Sequence, residues 1–131
     1  MANEAVCIEA PRIIKNRIVA EATNIPKGTI LYFSGDNTAS ATSAADQSFA
    51  GITIEEFKGG EGLTNVSAAM DGVWDIVATA AANVLGEAVA IGGANLIVSA
   101  DAADILNGAF IGYLQETQDA SERCRVALRG Y

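Results

Sequence analysis

The stretch from Val66 to Ala78, VSAAMDGVWDIVA, constrains the fold more than any other, because two apolar, strand-forming runs meet there at Asp71-Gly72. Asp-Gly between such runs predicts a β-hairpin: a two-residue type I′ turn needs positive φ at both central positions, which these residues tolerate. The stretch also carries the only tryptophan, Trp74, flanked by Asp71 and Asp75. It is therefore the first place to look for a site. A lone large aromatic among small residues fills a core, so Trp74 reads as core and Asp71-Gly72 as turn chemistry.

A chain of 131 residues is the size of one domain, and one core is expected. Thirteen glycines and few aromatics suit a mostly β fold with many tight turns better than a helical bundle, whose interior glycine weakens. The net charge is −8, and it is unevenly spread. Residues 30 to 122 hold thirteen acids against Lys58 alone, whereas both ends are basic. An acidic body argues against nucleic acid as a partner, because phosphate binding needs a basic patch. Charge that keeps the surface solvated accounts for the body without any partner.

Along the chain, residues 1 to 24 stand apart: they contain no glycine and carry Arg12, Lys15 and Arg17. They form a candidate N-terminal arm, with 25–131 as the domain proper. The apolar residues Ile13, Ile14, Ile18 and Val19 fit a helix or a bent strand equally well. Two readings are open, an arm that adds to a neighbour and a first strand packed on its own domain. Ile30-Leu31-Tyr32-Phe33 is an unbroken apolar strand, expected to be buried on both faces or at a subunit contact. Asn37 to Gln47 reads as a polar loop, with Ser43 a candidate cap for a helical turn through Gln47. In Phe49 to Glu55, Ile52 and Ile54 alternate with Thr53 and Glu55, which predicts a half-exposed strand.

The glycine-rich segment Lys58 to Gly62 lacks the Lys-Ser/Thr of a phosphate cradle and reads as a loop. Val84 to Ile91 and Leu96 to Val98 form a second hairpin around Gly92 to Asn95. Ser99 or Asp101 caps a helical turn that Gly108 stops. Gly108 to Leu114 is a strand whose Gly112 marks a bulge or a close backbone approach. In the last strand Cys124, Val126 and Leu128 face inward and Arg123, Arg125 and Arg129 outward, an arginine ladder that suits a solvated edge or a contact to an acidic neighbour.

Enzyme chemistry lacks its usual parts. The chain has no histidine, which removes the common zinc ligand and the base of Ser-His and Cys-His catalysis. Asp71/Asp75 and Asp101/Asp104 are paired carboxylates without a partner base, and no calcium loop or nucleophile elbow is present. No catalytic residue, metal or cofactor is expected. MANEAVCIEA carries acids where an export signal carries positive charge, and no run is long enough to span a membrane. Cys7 and Cys124 are expected reduced in a cytoplasm during synthesis, with their pairing left open, since it depends on distance.

The order IPKGTIL, FAGIT, DGVWDIVA, LGEAV, GAFIGYLQET, RVAL resembles the capsid decoration (cement) proteins of tailed bacteriophages, similar in kind to the one on the lambda head. The resemblance covers residues 25 to 131. It implies a small β-tulip or β-clip-like domain of short antiparallel strands with an N-terminal arm, and a homotrimer at three-fold positions of the virion exterior, with the major capsid protein as partner. It also implies turns at Gly28 and Gly86, close packing at Gly51 and Gly112, and core positions at Val126 and Leu128. By position, Arg12, Ile13, Ile14, Lys15, Arg17, Ile18 and Val19 become candidate capsid contacts, and Arg123, Arg125 and Arg129 candidate contacts to a partner subunit. A β-clip domain binding sugars or polar metabolites is the main alternative, and a tail or fibre component a third.

Overall fold

A computed structural model describes residues 3–20, 23–79, 86–117 and 122–128. The chain runs through β1 (Val6–Glu9), β2 (Ile14–Ile18), β3 (Ile30–Gly35), β4 (Thr38–Ala41), β5 (Phe49–Thr53) and β6 (Asn65–Ala69). It continues through β7 (Val73–Ala78), β8 (Ala88–Gly93), β9 (Leu96–Ser99), a short helix α1 (Ala102–Leu106), β10 (Phe110–Leu114) and β11 (Arg123–Leu128). The mostly β expectation holds. The single core does not: the strands form two small closed barrels, each of five strands.

In the first barrel the strands neighbour one another in the order β2-β4-β3-β5-β6, and β6 pairs back onto β2. In the second the order is β7-β9-β8-β10-β11, and β11 pairs back onto β7. The sheets are mixed rather than purely antiparallel, since β2–β4 and β7–β9 are parallel. Five strands enclose less space than the eight of a side-chain-filled barrel. Small side chains are the consequence: Ala39, Ala50 and Ala68 sit with Val19, Ile25, Leu31, Phe57 and Val66 in the first barrel's core.

The two barrels repeat one another pair by pair. Leu31 faces Ala41 and Phe33 faces Ala39 before the register shifts at Gly35; Val89 faces Ser99 and Ile91 faces Ile97 before it shifts at Gly93. Leu31 faces Gly51 and Tyr32 faces Phe49 across a second bulge, as Val89 faces Gly112 and Ala90 faces Phe110. Positive φ recurs at Gly28 (85°) and Gly86 (84°), and at Asn37 (54°) and Asn95 (55°). Even a side-chain contact is copied: Glu55 accepts from the Ser67 N–H at 3.1 Å and Glu116 from the Arg125 N–H at 3.0 Å. The fold is a tandem repeat of one barrel.

The Asp71-Gly72 hairpin is a correction. β6 and β7 do not pair; β6 closes the first barrel and β7 opens the second. Positive φ falls on Gly72 (95°) and not on Asp71, so there is no type I′ turn. The dipeptide is the joint between the barrels. A Cβ at Gly72 would lie 2.7 Å from the Glu9 carbonyl oxygen, which explains glycine there.

The described residues of 1–24 include two paired strands, β1 and β2. β1 adds to the second barrel beside β7, and β2 is an integral member of the first. The strand on its own domain is thus the reading that describes 6–9 and 14–18. The pairing is non-local: each strand waits for a partner far along the chain, so local pattern could not reveal it.

Other expectations shift for the same reason. Thr38–Ala41, inside the expected loop, is β4, with half-buried residues that alternate too weakly to announce a strand. β5 is buried along its whole length, not half-exposed, because its outer face is covered by the second barrel. Thr53 is accommodated there by accepting from the Thr29 N–H (2.9 Å) and donating to the Pro26 carbonyl (2.8 Å). β3 is buried at Ile30 and Leu31 but exposed from Phe33 onward. β11 is no edge; it lies between β7 and β10. No helix follows Ser43: the Gln47 side chain accepts from the Ser43 and Ala44 N–H groups instead. The start of the expected Val84–Ile91 strand lies outside the described residues.

The helical turn before Gly108 is present. Asp101 caps α1 by accepting from the Asp104 N–H (3.0 Å), and Asp104 returns the bond to the Asp101 N–H (3.0 Å). The close approach at Gly112 is present too: a Cβ there would overlap the Ala127 carbonyl oxygen.

Candidate interaction surface

The carboxylate of Asp71 accepts two backbone bonds through one oxygen, from the Arg12 N–H at 2.7 Å and the Ile13 N–H at 2.8 Å. Its own carbonyl accepts from Trp74 Nε1 at 3.1 Å. Asp71 therefore pins the link between β1 and β2 onto the inter-barrel joint. It has a structural task, and Trp74, 1% exposed, is core. Asp101 and Asp104 are occupied in the cap. Among the described residues no group of three or more metal-ligating side chains comes together.

The candidate residues on the amino-terminal segment divide by face. Ile14 (48% exposed) and Ile18 (46%) stand on one side of β2. Lys15 and Arg17 alternate with them on the other. Arg17 donates from Nε to the Ala50 carbonyl (2.8 Å), and its guanidinium lies 4.8 Å from the centre of the Phe33 ring. Val19 is buried in the first barrel's core, and Ile13 packs against the larger apolar cluster. Those two are structural, whereas Arg12, Ile14, Lys15 and Ile18 are open to contact.

In the ladder, Arg123 and Arg125 are exposed while Cys124, Val126 and Leu128 are buried, as the alternation implied. Arg123 donates to the Asp75 carbonyl (3.3 Å) and the Glu4 carbonyl (3.0 Å), tying β11's outer face to the segment before β1. Arg129 lies outside the described residues. Cys7 is exposed and Cys124 buried, and both thiols are free. Burial, with the nearby Glu116 and Asp75 carboxylates, pushes the Cys124 thiol up to about 12.

Two clefts flank β1 over the edge of Trp74. One, about 440 Å³, is lined by Glu4, Val6, Cys7, Lys27 and Arg123 among others. The other, about 340 Å³, is largely apolar, with Pro11, Ile14 and Ile54 beside Lys27. The first brings Glu4, Lys27 and Arg123 together, whereas the second has Lys27 as its one charged lining residue.

The largest feature is the contact between the barrels. The outer face of the first barrel, from Ile30, Phe49, Ile52 and Ala69, shares one buried cluster with Trp74, Ile76 and Ile91 of the second. Around it Asn95 accepts from the Ile30 N–H (2.8 Å) through Oδ1 and donates from its backbone to Thr42 Oγ1 (3.1 Å). Ser48 Oγ donates to the Asn107 carbonyl (2.7 Å), and the Phe49 N–H to the Gly108 carbonyl (2.8 Å). The side of barrel one thus covers the end of barrel two marked by the β8–β9 turn.

No family model matches the chain, and no curated protein matches it by sequence. A solved structure does: the head fiber gp8.5 N base of bacteriophage phi29, with a TM-score of 0.55 and 15% identity. The two folds correspond. The match covers 89% of this chain and 93% of that one, so it includes both barrels. Sequence reasoning missed the repeat, although its signal is in the letters. SAAD at Ser43–Asp46 recurs as DAAD at Asp101–Asp104, and Phe49-Ala-Gly51 recurs as Phe110-Ile-Gly112.

Proposed function

We propose that this protein is a structural component of a phage head, seated on the capsid exterior and stabilising the assembled shell as a decoration or base protein. The observation that carries the reading is the correspondence of the whole two-barrel fold to a head fiber base. The surface supports it. Both barrels are closed, with β1 added beside β7, and the hydrogen-bonded Asp71 and the buried Trp74 have structural tasks at the joint. The role is non-enzymatic.

Attachment to the major capsid protein uses the outer side of β2, where Ile14 and Ile18 are exposed beside Arg12. Arg123 and Arg125 face an acidic neighbour on the outer side of β11. Three copies at a three-fold position give multivalent attachment, so a modest contact per copy suffices. The test is co-sedimentation of the purified protein with assembled shells, followed by electron microscopy of the particles. Ile14→Asp with Ile18→Asp lowers occupancy roughly tenfold or more while the fold persists. Shells that stay bare with the wild-type protein would refute the reading.

A further inference from the structure

The repeat gives each barrel the same two faces, and inside one chain the barrels use different ones. Barrel one uses its side and barrel two uses its turn-marked end. Among the described residues, the matching side of barrel two leaves Tyr113 exposed and the matching end of barrel one leaves Lys15 and Phe33 exposed. We infer that these two faces bind one another between copies, the side of barrel two from one molecule covering the end of barrel one of the next.

The residues at these two faces fit this. On barrel two's side, Phe110 and Tyr113 stand at the positions of Phe49 and Ile52, with their rings edge to face at 5.3 Å. Phe49 and Ile52 are buried against the other barrel; Phe110 is buried too, whereas Tyr113 is 51% exposed. At the end of barrel one, Lys15, Arg17 and Phe33 occupy the positions of Trp74, Ile76 and Ile91. That end offers the exposed Lys15 and the open edge of Phe33, whose ring already carries the Arg17 guanidinium. The side of barrel two is flanked along the chain by exposed Asp101 and Glu116. The charges are complementary, and the aromatic surfaces are of the kind that anchor interfaces.

The contact is heterologous. Its two surfaces differ, so repetition gives a closed ring or an open filament and never a two-fold dimer. It deepens the self-association part of the proposed function and supplies its contact residues.

The experiment is sedimentation or native mass spectrometry of the full chain in solution, without shells. The wild type self-associates. Tyr113→Arg blocks the side, and Lys15→Glu with Phe33→Glu blocks the end; each alone reduces self-association roughly tenfold or more. Mixing the two variants restores a one-to-one heterodimer, because each retains the surface the other lost. Circular dichroism checks folding, and Lys15→Glu alone, on an exposed side chain, repeats the end-blocking arm if the double variant unfolds. A wild type that stays monomeric, variants that associate like it, or a mixture that yields no heterodimer would overturn the inference. Since no shell is present, failure here is distinct from failure to bind capsids.

Discussion

The first barrel places Lys15, Arg17 and Phe33 where the second places Trp74, Ile76 and Ile91, on a framework whose registers and bulges coincide. The backbone is therefore not what makes one end polar and the other apolar. The difference is cover. Ile76 and Ile91 are fully buried because another barrel lies over them, while Lys15 and Phe33 are exposed. Buried apolar side chains contribute about 1.5–3 kcal/mol each, so only the covered end can use them. The lesson is that five-stranded barrels of this kind tolerate either chemistry at that end, and their neighbours decide which.

The sharpest way to break the comparison is to exchange the ends. Trp74→Lys puts an unpaired charge under the other barrel and should cost about 4–5 kcal/mol or abolish folding, measured by denaturant titration. Lys15→Trp, its mirror, should change stability by less than about 1 kcal/mol. Equal costs for the two would mean that cover does not explain the difference.

Next comes Gly112→Ala, which drives a methyl into the Ala127 carbonyl and should cost about 3 kcal/mol by thermal or urea unfolding. Gly86→Ala tests conformation without crowding, since among the described residues no atom lies within 4 Å of its Cβ, and should cost about 1 kcal/mol through its positive φ. The joint follows. Asp71→Ala leaves the Arg12 and Ile13 N–H groups without their acceptor and should cost about 2 kcal/mol, whereas Asp71→Asn keeps an acceptor oxygen and should lose about half of that.

The smallest effect concerns pH. Burial, then the hydrogen bond and charge of Asp46 and the charge of Asp101, raise the Asp104 carboxyl above its ordinary 3.8, against the Asp101 backbone bond that lowers it. Folded Asp104 therefore holds its proton more tightly than unfolded Asp104. Its contribution is fully present below 3.8 and is lost as pH rises through the raised value. Asp104→Asn, which keeps an acceptor for the cap, should flatten that part of the stability profile, read as melting temperature against pH. An unchanged acid slope would show that Asp46 and Asp104 are not in contact across the barrels.

Much of this was legible in the letters where structure is local. The helical turn from Asp101, the bulge at Gly112 and the inward run Cys124, Val126, Leu128 all rest on near-neighbour chemistry, and each is present. The pairing of strands was not legible. Asp71-Gly72 satisfies a hairpin's local grammar, yet which strand β7 meets is decided by β1, β9 and β11, all distant in sequence. The candidate surface was half legible. Arg12, Ile14, Lys15 and Ile18 are exposed as a contact needs, but Val19 is core, because alternation alone does not say where a strand leaves the surface.

The laced amino terminus also orders events in time. During synthesis β1 emerges before barrel one, but the partner it needs, β7, belongs to the second barrel. Barrel one, complete once residues 14–69 have left the ribosome, can close while β1 still hangs free. β1 then settles after β7 is made, drawing Gly72 beneath the Glu9 carbonyl and Asp71 under the Arg12 amide. A strand made before barrel one thus finds its place after it, which ties the seating of β1 to the making of β7.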